Sequence, residues 1–269
     1  MQEICVLLIV FAYLCEKPSI MLKQERHQLI LDKLNTRRKV LSVALSQELE
    51  VSEDTIRRDL KELEAKNLLY KVHGGALSME AKIRTFDERS HSDINEKKKI
   101  AKKAVRLIRN GQVIFMSGSS TNVEIAKILP PDINATIFTF SLPVALQLSH
   151  HPNAEIIFLG GKLNKSAQVS TGVDVVNAMS GIRVDICFMG VAAIDQDHGI
   201  TESDWDVAHI KKKMIGISDY VIAMCTGKTL HTSERYLVES INKIDTLITD
   251  FNPDNAIFKS FKQQGIVVI

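Results

Sequence analysis

Net charge, cysteine and aromatic residues are all scarce in this chain, and each scarcity removes a class of function. The 269 residues carry 34 lysines and arginines against 32 acidic residues, so the net charge of +2 gives the bulk protein no pull on a polyanion or a membrane surface. Any such binding has to come from local arrangement. Four cysteines, Cys5, Cys15, Cys187 and Cys225, show no CxxC or Cys/His spacing, which disfavours both a disulfide framework and a zinc site and fits a reducing cytoplasm. The apolar run from Ile4 to Cys15 stops at twelve residues, too short to span a bilayer. It also lacks the marks of a secretory signal: Glu3 sits where a positive charge belongs, and no small-x-small cleavage pattern follows. Residues 1–20 therefore read as an extension from a mis-assigned upstream start, with Met21 opening the protein proper. The reading expects no membrane partner, no metal, no cofactor and no catalytic residue.

What is present is 45% hydrophobic content, enough for two unequal domains. From Met21, Leu29, Ile30, Leu31 and Leu34 fall on a helical period, and "LSVALSQEL" (41–49) predicts a second helix with Ser42 as its N-cap. A third follows after about three residues: Ser52 caps it, Glu53 and Asp54 suit its positive end, and Ile56, Leu60 and Leu63 form one stripe. "LLYKVHGGALS" then alternates like a hairpin broken at Gly74-Gly75. Three helices and a hairpin over 21–78 make a winged helix-turn-helix.

On the third helix Arg57 and Arg58 point about 100° apart and Lys61 lies one turn beyond Arg57, which draws a cationic strip beside the apolar stripe. A strip of this kind is usually just hydrated. Here it follows a tight turn, begins with the short polar side chains Ser52 and Thr55, and precedes a hairpin carrying Lys71 and His73. That is the layout of a recognition helix for the major groove of double-stranded DNA, with a wing on the backbone. Residues 21–78 hold eleven Lys/Arg against nine Asp/Glu, so binding rests on clustering, "RRK" at 37–39 included.

Residues 79–98 are charged and read as a linker, running into a helix from about 95 to 109. Beyond them apolar runs recur at 112–116, 136–140, 155–159, 185–191, 220–225, 245–250 and 266–269, mostly separated by helix-length segments. Short apolar strands alternating with helices predict an α/β domain over 99–269, with a mainly parallel sheet covered on both faces. "IFMSGSSTNVEIAKIL" runs strand, turn, helix. Its Gly118, Ser119, Ser120 and Thr121 offer a sharp turn, hydroxyls and a helix N-terminus to a phosphate, although such turns also occur without any ligand. A second glycine pair, Gly160-Gly161, precedes Lys162, and Lys211 to Lys213 and Lys228 supply cations. "TGKT" (226–229) is no P-loop, because Ile222 stands where the first glycine is required.

The run "VSEDTIRRDLKELEAKNLLYKVHGGA" closely resembles the signature of the DeoR family of bacterial transcriptional regulators, TIRRDL and VHGGA included. The resemblance continues through "SLPVA" (141–145), "LGGKL" (159–163), "FMGVAAID" with "GIT" (188–201), "KKKM" (211–214) and "DTLITD". It implies a DNA reader built on Arg57, Arg58 and their neighbours, with His73 in the wing. It also implies an effector domain, similar in fold to ribose-5-phosphate isomerases and CoA transferases, that senses a phosphorylated sugar. The expected protein is an oligomeric repressor of a sugar operon, with Gly118, Ser119, Ser120, Thr121, Gly161, Lys211 and Lys228 as effector residues.

Departures from the family pattern bear on the sugar. Met116 and Phe140 stand in place of Asp and Asn, Cys225-Thr226-Gly227-Lys228 in place of Asp-Ser-Ser-Lys, and Val207 near the place of an acidic residue. A sugar hydroxyl facing Met or Phe would go unpaired. Two other functions stay open at this level. One is an isomerase with a general base drawn from Asp195, Asp197, Glu202 or Asp204; the other is a DNA reader whose sensor is degenerate or holds a protein partner.

Overall fold

The computed structural model describes residues 21–37, 39–78 and 85–269, and the side chains of 35–39 lie outside that description. The expected extension 1–20 therefore falls outside the described residues, as do the side chains of the "RRK" cluster. The chain divides into two compact units, Met1–Lys82 and Ile83–Ile269.

The first unit runs α1 (Lys23–Arg37), β1 (Lys39–Leu41), α2 (Ser42–Glu48), α3 (Glu53–Ala65), β2 (Leu69–Val72) and β3 (Gly75–Ser78), with an antiparallel sheet ordered β1-β3-β2. Ile30 and Leu34 of α1 meet Leu45 of α2 and the stripe Ile56, Leu60 and Leu63 of α3 in one small core. The expected winged helix is present. Two details of the reading change. Ser42 is the first residue of α2 rather than its cap: Leu41 takes the cap position without a side-chain bond, and the Ser42 N–H donates to the Gly74 carbonyl. The three-residue β1 carries no sequence pattern of its own; it exists by pairing with β3. Gly75 permits that pairing, since a Cβ there would lie 2.0 Å from the Val40 carbonyl oxygen. Several cations of this unit are already engaged, Lys23 with Glu62 and Lys33 with Glu48.

The second unit begins with α4 (Phe86–His91) and α5 (Ile94–Ala104), so the expected linker over 79–98 is helix from Phe86 onward. Thr85 and Glu88 explain why: the Thr85 hydroxyl accepts from the Glu88 N–H at 3.2 Å and the Glu88 carboxylate accepts from the Thr85 N–H at 2.8 Å, a reciprocal cap.

A seven-stranded, all-parallel sheet follows, ordered β15-β14-β12-β9-β4-β5-β6. Its strands are β4 (Val113–Met116), β5 (Thr136–Thr139), β6 (Glu155–Phe158), β9 (Ile186–Gly190), β12 (Val221–Cys225), β14 (Thr246–Thr249) and β15 (Val267–Val268). Each of the seven apolar runs became one of these strands.

Alternation sorts the side chains into two layers. Ile114 and Met116, Ile186 and Phe188, and Ile222 and Met224 pack with α5, α6 (Ser120–Ile128) and α7 (Leu142–Leu148). Phe115, Cys187 and Met189, and Ala223 and Cys225 face α8 (Val173–Ala178), α9 (Trp205–Gly216) and α10 (Lys259–Gln263). Outside the main sheet lie the hairpin β7 (Lys162–Asn164) and β8 (Val169–Thr171), and an antiparallel trio of β10 (Ala193–Asp195), β11 (Gly199–Glu202) and β13 (Tyr236–Glu239). Among the described residues no helix is long and apolar enough to cross a membrane.

Candidate functional site

In the first unit the sequence "TIRRDL" divides by helical geometry. Ile56, Asp59 and Leu60 turn inward, whereas Arg57, Arg58 and Lys61 are exposed. Ser52 caps α3, its hydroxyl accepting from the Thr55 N–H at 3.2 Å and lying 2.9 Å from the Thr55 hydroxyl. These two side chains hold the first turn of the helix at the surface. Arg57 is engaged within its own helix, 3.4 Å from Glu53 and 3.6 Å from Asp54. Arg58 has no hydrogen bond or ion pair among the described residues and stands free to meet an outside group. Lys71 and His73 are exposed on the β2–β3 hairpin.

Asp59 is the inward member of the motif. It is 2% exposed, and Arg26 of α1 grips it through Nε to Oδ2 and Nη2 to Oδ1 at 3.2 Å, with His27 Nε2 3.0 Å from Oδ1. Burial resists the charge on Asp59, but the bonds from Arg26 and His27 outweigh it and hold the carboxyl below its usual range. This cluster ties α1 to α3.

In the second unit the strand order reverses between β4 and β9: the chain passes from β4 to β5 and β6 on one side, and from β9 to β12, β14 and β15 on the other. The carboxyl ends of such a pair of strands open a crevice, where ligands of parallel α/β sheets bind. Here that crevice is floored by Ser117, Gly118 and Ser119 after β4 and by Gly190 at the end of β9. Ser119 caps α6, accepting from the Asn122 N–H at 3.1 Å, and Ser120 and Thr121 form the first buried turn. The buried Asn122 side chain donates to the carbonyls of Ser117 and Phe188, both at 2.9 Å, and pins the turn to both strands. Its Oδ1 is buried without a partner among the described residues. The Ser117 hydroxyl accepts from the Gly190 N–H at 3.0 Å.

The approach of the two strand ends is close enough to demand glycine. A Cβ on Gly190 would fall 2.2 Å from the Ser119 Cβ, and one on Gly118 would fall 2.2 Å from Cγ1 of the buried Val169. Gly190→Ala should therefore lower the thermal midpoint of the second unit by several degrees, in line with an overpacking cost of about 1–3 kcal/mol. Scanning calorimetry checks this; an unchanged midpoint would mean that β4 and β9 can spread without cost.

Lys211 sits beneath this floor. It is 4% exposed, donates to the Gly190 carbonyl at 2.7 Å and is ion-paired with Glu202, itself buried. The carboxylate for this lysine thus comes from the end of β11, and Val207 on α9 is buried in the core.

Other expected residues are placed elsewhere. Gly161 follows β6, two strands from β4, where a Cβ would meet the Thr171 carbonyl and Val175 at 2.9 Å; its absence of a side chain serves packing. Lys228 pairs with Asp93 at 2.6 Å. Burial opposes ionisation of Asp93, but the bond and charge of Lys228 hold its carboxyl below the usual range. Met116 and Phe140, expected to face a sugar, are fully buried in the two core layers and offer no surface to a ligand.

The acidic loop is also committed. Asp195 accepts from the N–H groups of Asp197 and His198, and Asp204 caps α9 and accepts from Asn164. Burial pushes the thiols of Cys187 and Cys225 up to about 12, so neither is a thiolate nucleophile. The residue that sequence reasoning missed is Arg89 of α4. Its segment looked like solvated linker, yet Nε and Nη2 of its guanidinium are buried without a hydrogen-bond partner among the described residues.

Comparison with protein families assigns both units. Residues 26–82 match the DeoR-like helix-turn-helix domain, and residues 92–251 match the DeoR C terminal sensor domain. The chain belongs to the DeoR family. Among curated DeoR-family relatives, the HTH-type transcriptional regulator GolR of Listeria innocua is 31% identical over 91% of this chain and 97% of its own. The HTH-type transcriptional repressor GlcR of Bacillus subtilis is 33% identical over 93% of this chain and 96% of its own. The glycerol-3-phosphate regulon repressor of Escherichia coli is 28% identical over 89% and 95%. Among solved structures, ribose 5-phosphate isomerase A of Methanocaldococcus jannaschii is similar at 16% identity over 52% of this chain and 55% of its own, with a TM-score of 0.39. This DeoR-family chain is a DNA-binding regulator, with its reader in the first unit and its sensor in the second.

Proposed function

We propose that the protein represses a sugar-metabolism operon and leaves its operator when a phosphorylated sugar fills the crevice between β4 and β9. The reader consists of Ser52, Thr55, Arg57, Arg58 and Lys61 on α3 with Lys71 and His73 on the wing. The effector's phosphate rests on Gly118, Ser119, Ser120 and Thr121, with Lys211 holding the floor beneath them. The observation that carries this reading is the Ser119-capped start of α6 at the strand-order reversal, over a buried lysine: backbone N–H groups and a helix N-terminus favour a compact anion there. Two relatives support the link to sugar metabolism: one is a glycerol-3-phosphate regulon repressor and another an L-fucose operon activator. The engaged carboxylates of Asp195, Glu202 and Asp204 weigh against an isomerase that would draw its general base from one of them.

Fluorescence anisotropy on DNA upstream of the protein's own gene tests the reading, with pentose and hexose phosphates titrated beside the matching free sugars. Release is expected from one phosphosugar and not from its free sugar. Tight binding that no compound disturbs would end the phosphosugar reading while leaving the DNA reader in place.

A further inference from the structure

Arg89 is anchored beside the crevice by several independent links. The Phe86 N–H at the start of α4 donates to the Ser166 carbonyl at 2.7 Å, and Gln168 donates to Asp87 at 3.2 Å, which seats α4 on the β7–β8 hairpin. The next residue of that hairpin, Val169, is the one that abuts Gly118. α4 also packs against α6, and the charge of Glu202 reaches the Arg89 guanidinium. The guanidinium itself lies 6.0 Å from the Phe86 ring centroid, with Nε and Nη2 buried and unpaired among the described residues.

A guanidinium stays charged even when burial works against it, so two of its donors are left in a dry place with nothing to bind. The carboxylates of Glu202 and Asp93 are already paired with Lys211 and Lys228, so neither is left to answer Arg89. Lys97 is spent on the carbonyls of Arg89 and Ser92. A second orphan lies at the start of α6, the fully buried Oδ1 of Asn122, an acceptor that suits a hydroxyl of the effector and not its phosphoryl oxygens.

We propose that Arg89 is a direct ligand of the effector's phosphoryl group, its Nε and Nη2 taking two oxygens while the start of α6 takes the others. The inference rests on the reading of the crevice as a phosphosugar site and adds to it a residue from the segment that precedes the sheet. A planar fork matches two oxygens of a tetrahedral oxyanion, and a phosphomonoester brings the negative charge that the unpaired guanidinium lacks.

One consequence has the opposite sign from that of a structural residue. An unpaired buried charge destabilises the empty protein, so Arg89→Met, similar in length and apolar, should raise the thermal midpoint of the second unit in chloride by about 2–4 °C. The same change should remove the site's response to phosphate. Thermal unfolding of the full chain is measured in potassium chloride and in potassium phosphate of equal ionic strength, for the wild type, Arg89→Met and Arg89→Lys. The anisotropy titration with the phosphosugar panel is repeated on each protein.

The expected result is a phosphate-stabilised wild type and an Arg89→Met protein that is more stable in chloride but indifferent to phosphate. Arg89→Lys, which keeps the charge, should match the wild type in chloride and gain less from phosphate, and the phosphosugar concentration needed to release DNA should rise at least tenfold in both variants. If Arg89→Met does not fold, Arg89→Lys decides alone: the inference requires its tenfold loss with an unchanged midpoint in chloride. Variants that respond to phosphate like the wild type would overturn the role of Arg89 and leave the crevice reading standing. A wild type that responds to neither phosphate nor any phosphosugar would overturn both.

Discussion

Replacing Asp59 with asparagine should unfold the first unit while the second remains folded. The substitution keeps shape but removes the charge that Arg26 grips on both of its carboxylate oxygens, and it leaves a buried guanidinium uncompensated. Breaking a buried pair in this way costs about 3–5 kcal/mol. A winged helix of about sixty residues commands roughly 3–9 kcal/mol in total, so most of its stability is at stake. Two calorimetric transitions are expected in the wild type, and the lower one should move down sharply or vanish in Asp59→Asn.

The pH dependence has a defined sign. The folded-state carboxyl lies below its unfolded value of about 3.9, so its stabilisation is complete well above that pH and is lost as pH falls through the folded value. The wild type should lose this part of its stability in acid, and Asp59→Asn should have none of it to lose. A variant as stable as the wild type at pH 7 would show that the cluster is incidental to the fold.

Arg58→Ala should leave both transitions where they are and weaken operator binding about tenfold to a hundredfold, the range for one side chain reading a base or phosphate. The contrast with Arg57 makes the test specific. Arg57 already has Glu53 and Asp54 within 3.4 and 3.6 Å, so its charge is partly answered before any DNA arrives. Arg57→Ala should therefore cost less than Arg58→Ala, as anisotropy on one operator fragment can show. Equal affinity of Arg58→Ala and the wild type at physiological salt would remove α3 from the role of reader.

Much of this architecture is legible without coordinates, and the reasons are local. The seven sheet strands are short and wholly apolar because a parallel sheet is covered on both faces, and that pattern needs no partner to be recognised. The stripe Ile56, Leu60 and Leu63 is equally plain. By contrast β1, the β7–β8 hairpin and the β10-β11-β13 trio are three or four residues each, and they exist only because a neighbour pairs with them. α4 is an intermediate case. Its reciprocal cap was visible as Thr85 followed three residues later by Glu88, but the charged composition of the segment pointed to solvent. Arg89 had no such signal, because an arginine among charged residues reads as surface until tertiary packing buries it. Gly118 and Gly161 looked alike in sequence; only the strand order separates the one at the crevice from the one under the hairpin.

The self-neutralised surface of the first unit has a kinetic consequence. Lys23, Lys33, Arg26 and Arg57 are each held by a carboxylate of their own unit, so at most seven of the eleven lysines and arginines in residues 21–78 remain to displace counterions from a duplex. Affinity for arbitrary sequence rises with the number of phosphates neutralised, and the four internal pairs lower that number. Each landing on non-operator DNA should then be brief, with little sliding before dissociation. Such a protein finds its target by many short encounters from solution, and its residence at the operator is set by base contacts rather than by the general pull of the backbone.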